Sequence, residues 1–156
     1  MVLLPLLLIV VGIVQFGLML NANVTLTNAA REGAREGSIH KYEKSAPHTP
    51  ATNDIARCNA IVAATKNALG MLTASSPNFV TGASCTGSGN IFTNGDVRVE
   101  YVKPSAVPVN SARQGYQMTV TVTYRQDIIV PLIGDLLFRD AGGRFVHTAK
   151  VTMVVN

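Results

Sequence analysis

The first twenty residues form an apolar segment without a charged side chain, MVLLPLLLIVVGIVQFGLML, in which Gln15 is the only strongly polar residue. About 20 consecutive apolar residues is the length of helix that spans the hydrocarbon core of a bilayer. A helix that is apolar on every side needs lipid or other helices around it. The segment therefore predicts a membrane-inserted or filament-forming protein rather than a free soluble enzyme.

A cleaved secretory signal peptide is the alternative explanation of this segment. Such a peptide has a basic start, a short apolar region and a small-residue cleavage site. Here no Lys or Arg precedes the apolar run, no A-x-A pattern ends it, and it continues into LNANVTLTNAAREGAREGS without a proline. We therefore expect one long helix over residues 1–38, retained in the mature protein.

Small residues dominate the second half of this predicted helix. Ala29, Gly33 and Gly37 are spaced by four, as are Ala30 and Ala34. This spacing gives a flat seam that another backbone can approach closely. A glycine costs about 1 kcal/mol relative to alanine inside a helix, which favours a packing role for Gly33. Gly37 fits packing and a helix C-cap equally well.

Charged residues lie beside the small ones, at Arg31, Glu32, Arg35 and Glu36. Glu32 and Arg35 can form an ion pair, but like charges also recur four residues apart. These charges therefore add little stability to an isolated helix. Pairing between subunits at the rim of a helical bundle is one interpretation. A solvated face is the other.

Residues 39–156 predict one small domain. Its predicted helix precedes its predicted strands, and this order indicates the α+β fold class. A Pro- and Ser-rich loop leads to a second helix, roughly Ile55–Leu72, capped by Asn53 or Asp54. Residues 82–95 predict a flexible loop, because glycine and serine recur there.

Three alternating patterns, near 97–102, 116–124 and 149–155, predict an antiparallel sheet of about three or four strands with one covered face. The apolar stretch 127–138 contains Pro131 and Gly134, which argue against a central strand. We expect a loop with a short helical turn there, which either caps the core or faces a neighbouring subunit.

The two cysteines, Cys58 and Cys85, are not in a CxxC motif. Beside a membrane segment, a disulfide in an oxidising compartment is the favoured interpretation, and two buried thiols are the alternative.

Catalytic and ligand-binding motifs are not found in the sequence. His40, His48 and His147 lack metal-ligand spacing, and no nucleophile elbow, Walker A or dinucleotide-binding motif occurs. The net charge of +4 comes from scattered basic residues. A nucleic-acid-binding surface would instead need basic residues clustered in a patch. We expect no enzyme, metal, cofactor or nucleic-acid partner.

One pattern resembles a known family. The runs Leu4-Pro5-Leu6-Leu7-Leu8, Gln15-Phe16-Gly17 and LTNAAREGAR at 26–35 are similar to the N-terminal signature of TadE-like proteins, the pilins and pseudopilins of tight-adherence (Tad, type IVc) pili. The candidate residues of the membrane or filament-core helix are Leu4, Pro5, Leu8, Val11, Gln15 and Phe16.

The resemblance implies a prepilin in the inner membrane that is trimmed by a prepilin peptidase and assembled by an ATPase-driven platform into an extracellular homopolymer. Family members usually carry a Glu shortly before the L-P-L-L-L run, whereas here no acidic residue precedes Glu32. Either a leader and that Glu are absent from this sequence or processing differs.

Three functional hypotheses follow: a major pilin, a minor pilin or pseudopilin, and a single-pass membrane protein with an extracytoplasmic binding domain. For the pilin hypotheses we expect Gly33→Leu to block assembly while the small domain still folds.

Overall fold

The computed structural model describes residues 3–45, 47–75, 84–127 and 143–156. In these ranges helices α1 (Leu3–Ile39), α2 (Pro50–Leu69) and the single-turn α3 (Leu72–Ser75) precede all the strands. The α+β class is therefore confirmed. The apolar stretch predicted as a loop with a helical turn lies outside the described residues, apart from Asp127.

Helix α2 begins earlier than predicted. Thr49 is its N-cap, and the Thr49 and Thr52 side chains each accept a hydrogen bond from the other residue's backbone N–H, at 3.2 and 2.7 Å. Pro50 occupies the first helical position, where its missing N–H costs nothing. Asn53, predicted as a cap, instead exchanges two 2.9 Å hydrogen bonds with the backbone of Glu43. Gly70, with φ of +55°, ends the helix.

The sheet is an antiparallel meander in which each strand pairs with the next. Its strands are β1 (Thr86–Ser88), β2 (Ile91–Asn94), β3 (Val97–Val102), β4 (Gln117–Gln126) and β5 (Phe145–Val154). The prediction of three or four strands is wrong, because the presumed loop at 82–95 contains β1 and β2. Two-residue connections, Gly89-Asn90 and Gly95-Asp96, join β1, β2 and β3, and both glycines have positive φ, as tight hairpins require.

One face of the sheet is covered by α1 and α2. In β3 and β4 alternate side chains point into this core, and Val99 lies opposite Val120 in the register. The buried apolar residues of the two strands are Val97, Val99, Tyr101, Met118, Val120, Val122 and Tyr124. The other face carries polar residues such as Thr121, Lys150 and Thr152, so it faces outward.

Candidate functional site

The N-terminal part of α1 extends beyond the small domain. Leu3 is 78% exposed, Ile13 is 67% exposed and Phe16 is 62% exposed. Pro5 is also exposed, whereas Leu8 and Val11 are half-buried. Within the described residues, α1 is the one helix whose length and apolar composition would allow it to cross a membrane. A helical surface of this kind is unstable in water, so lipid or other protein must cover it.

Gln15 marks the point at which α1 begins to pack on the domain. Its side chain is 2% exposed, in contrast to those of its neighbours Val14 and Phe16. From here buried residues follow one face of α1, and this face contacts α2, β4 and β5. We call this face the packing seam, formed by Gln15, Met19, Ala22, Leu26, Ala29, Ala30, Gly33, Ala34 and Gly37.

The glycines of the packing seam give α1 its close approach to the rest of the chain. A Cβ at Gly33 would overlap Thr65 Oγ1 and lie 3.3 Å from the carbonyl oxygen of Ile61. A Cβ at Gly37 would lie 2.6 Å from Ile61 Cδ1 and from Met118 Cε. The C-cap alternative for Gly37 is wrong, because α1 continues to Ile39.

This geometry overturns one expectation. The side chain added by Gly33→Leu would meet α2 of the same chain, so the substitution would disturb the domain itself. The sequence identified a seam for close packing but could not identify the partner, because helical periodicity defines a face and not its neighbour.

Three of the four charged residues beside the packing seam, Arg31, Glu32 and Arg35, are exposed. Glu36 is half-buried and lines a cavity with Asn53 and Ala56 of α2. Arg35 Nη1 lies 3.5 Å from Glu32 Oε1, a long and exposed pair that contributes little to stability. This stretch of α1 therefore presents both signs of charge to its surroundings.

A disulfide joins Cys58 of α2 to Cys85, the residue before β1, and their Cα atoms are 6.0 Å apart. The backbone N–H of Cys85 also donates to Asn59 Oδ1 at 2.7 Å. These two links attach the short β1–β2 hairpin to α2. The interpretation of the cysteines as a disulfide fits the structure.

We expect the double variant Cys58→Ala, Cys85→Ala to lose about 3–4 kcal/mol of unfolding free energy, because the bridge closes a long loop in the unfolded chain. Urea unfolding of the detergent-solubilised chain, followed by near-ultraviolet circular dichroism, measures this. Native protein under reducing conditions should unfold at the same midpoint as the variant. If the double variant and the reduced native protein both kept the midpoint of the oxidised native protein, the bridge would not stabilise the domain.

A buried polar cluster lies between α2, the hairpin and the loop before β4. Arg113, which has a φ of +58°, donates from Nε to both carboxylate oxygens of Asp54 at 2.8 and 2.9 Å. Its guanidinium lies 4.3 Å from the ring centre of Tyr101. Arg57, 2% exposed, donates from Nη2 to the carbonyl oxygen of Ala112 at 3.0 Å. Sequence patterns gave no signal for this cluster, because its members are far apart in the chain.

Burial shifts the pKa values of three groups. Desolvation raises the pKa of Tyr101, with Arg57 opposing it. Desolvation, reinforced by Arg57, lowers the pKa of His40. Desolvation also lowers the pKa of His147, whose Nε2 lies 3.1 Å from Gln126 Oε1. Burial therefore favours the neutral form of both imidazoles. Among the described residues, no group of three or more His, Cys, Asp or Glu could hold a metal ion.

Comparison with known proteins finds one family model that matches the N-terminal helix. Residues 1–35 match the family model of TadE-like proteins, which confirms the resemblance drawn from the three sequence runs. No curated protein and no solved structure matches the chain. The matched residues include the exposed part of α1 and the packing seam as far as Ala34. The match therefore indicates a pilin-like protein associated with Tad pili.

Proposed function

We propose that the chain is the major structural subunit of an extracellular Tad-type pilus and that it assembles through α1. The observation that carries this proposal is the exposed apolar part of α1, which continues without a break into the packing seam that holds the domain. One end of the helix is thus free for other subunits while the other end is fixed. Residues 1–38 would form the filament core and residues 39–156 the outward domain.

The same apolar surface serves two stages in this proposal. Before assembly it lies in the inner membrane, where lipid covers it. A prepilin peptidase and an assembly platform then act on the chain, and helices of other copies replace the lipid around α1. Arg31, Glu32, Arg35 and Glu36 would pair between subunits at the rim of the helical bundle. No cofactor and no catalysis take part.

Electron microscopy of sheared surface fibres tests this proposal. We expect long filaments in which this chain is the repeating subunit, identified by mass spectrometry of the purified fibre. Filaments composed of another protein, with this chain at trace level, would instead indicate a minor pilin or pseudopilin. Recovery of the chain in the membrane fraction alone would indicate a single-pass membrane protein.

A further inference from the structure

A polar cavity of about 660 Å³ lies where α1 ends, at the opposite end of the packing seam from the apolar segment. The residues that follow α1 form one wall, including Lys41, Tyr42 and Lys44, and the loop with Asn110 and Gln114 forms another. Arg57 of α2 lines the cavity between these walls. Its volume lies within the range of small-molecule sites, about 300–1,000 Å³. The proposed assembly does not use this cavity.

The charged side chains that line the cavity are Lys41, Lys44 and Arg57, and the described lining residues include no Asp or Glu. Asn156, the last residue of the sequence, also lines the cavity, and a free α-carboxylate there would offset one of these three positive charges. Neither lysine is in an ion pair with a carboxylate of the described residues. The nearby Glu43 pairs with His48, at 2.7 Å. A concave surface with an excess of one sign of charge concentrates ions of the opposite sign.

The charge beneath the cavity is also unbalanced. Asp54 is bound through both carboxylate oxygens by Arg113, so its nearest approach to Arg57 is a long one, 3.8 Å from Oδ1 to Nη1. Nε and Nη1 of Arg57 have no hydrogen-bond partner among the described residues. The buried guanidinium of Arg57 and the half-buried one of Arg113 therefore share one carboxylate. An incompletely compensated buried charge is costly, and an anion in the adjoining cavity would offset part of that cost.

The walls of the cavity are held in place by hydrogen bonds. The Asn110 side chain accepts from the backbone N–H of Gln114 at 2.8 Å and donates to its carbonyl oxygen at 3.0 Å. The segment after α1 is fixed to α2 through Asn53 and Glu43, as described above. Tyr42, Ser111 and Gln114 add neutral hydrogen-bonding side chains to the lining. Such groups match hydroxyls, whereas the cations match a carboxylate.

We propose that this cavity binds an acidic sugar, with the carboxylate of a uronic acid near Lys41 and Lys44 and the ring hydroxyls on the neutral side chains. The cavity combines cations with amide and hydroxyl groups, and this combination favours a sugar acid over a simple anion. The pilus subunit would then carry a binding site for acidic polysaccharide on each copy. This binding does not depend on whether the chain forms filaments.

Isothermal titration of the full-length chain in detergent micelles with sodium glucuronate tests the proposal. We expect saturable binding at one site, with glucose bound at least about tenfold more weakly because it lacks the charged acceptor. Inorganic phosphate serves as the third probe. Phosphate binding as tight as that of glucuronate would mean a site for anions only and would overturn the sugar assignment, as would the absence of saturable glucuronate binding.

A matched pair of variants locates the site. Lys41→Gln should weaken glucuronate binding about tenfold, whereas Lys150→Gln makes the same change of charge on the outward face of β5 and should leave binding unchanged. Equal weakening in both variants would mean that net charge alone attracts the ligand and would overturn the proposed location. Both lysines are exposed, so the fold tolerates either change.

Discussion

Val10→Asp should reduce surface filaments roughly 100-fold, because a carboxylate at the centre of an apolar helix costs about 2.5–3.5 kcal/mol in a bilayer. A filament core built from such helices would exclude water in the same way. Val10 is 54% exposed in the single chain, so the substitution disturbs no contact within the domain. Filament counts by electron microscopy and the yield of sheared pili measure the loss.

Val109→Asp is the matched control for this prediction. Val109 is 83% exposed and lies in the loop before β4, so the control makes the same chemical change on the surface of the domain. Native filament numbers are expected from it, and both variants should show native near-ultraviolet circular dichroism after detergent extraction. Abundant filaments from Val10→Asp would exclude α1 as the filament core. Equal loss in both variants would mean that added negative charge prevents assembly at any position.

The helix α1 and the strands β3, β4 and β5 could be predicted from the sequence because their patterns are local. The threonines of β4 alternate with Met118, Val120 and Val122, and this period of two belongs to a half-buried strand wherever it occurs. The long apolar run and its continuation without proline likewise define α1 with little help from tertiary structure.

The hairpin β1–β2 escaped prediction because its strands depend on their neighbours. Thr86–Ser88 contains no apolar side chain, and β2 contributes one buried apolar residue, Phe92. These strands form because β3 offers a partner and the disulfide holds Cys85 on α2. The dipeptides Gly89-Asn90 and Gly95-Asp96 were the available signal, since both are typical of two-residue hairpin turns.

The polar cluster around Arg113 could not be predicted at all. Arg113 and Asp54 are 59 residues apart, and neither lies in a motif that indicates a partner.

The start of α2 differs from the prediction for another reason. Pro50 lies in the segment whose prolines and serines predict a loop, although proline at the first helical position favours a helix.

Gly33→Leu should lower the free energy of unfolding by about 3 kcal/mol, at the upper end of the cost of inserting bulk into a packed interior. The first added carbon already overlaps Thr65 Oγ1, and Thr65 is fully buried with its hydroxyl donating to the carbonyl oxygen of Ile61 at 2.8 Å. The hydroxyl therefore cannot move aside without losing its hydrogen bond. The leucine must push α1 away from α2. Urea unfolding in detergent, followed by near-ultraviolet circular dichroism, measures the change.

Gly17→Leu is the control, because it makes the same substitution in the same helix at a glycine where, apart from the adjacent residues and the nearby backbone of α1, no atom lies within 4 Å of the added carbon. Its midpoint should equal or slightly exceed that of the native chain, since leucine favours a helix more than glycine does. A native midpoint for Gly33→Leu would mean that α1 does not pack on α2 in solution. If both variants lost stability equally, leucine in place of a helical glycine would itself be the cause of the loss, and not contacts at the packing seam. The close approach at Gly33 would then not be what holds α1 to the domain.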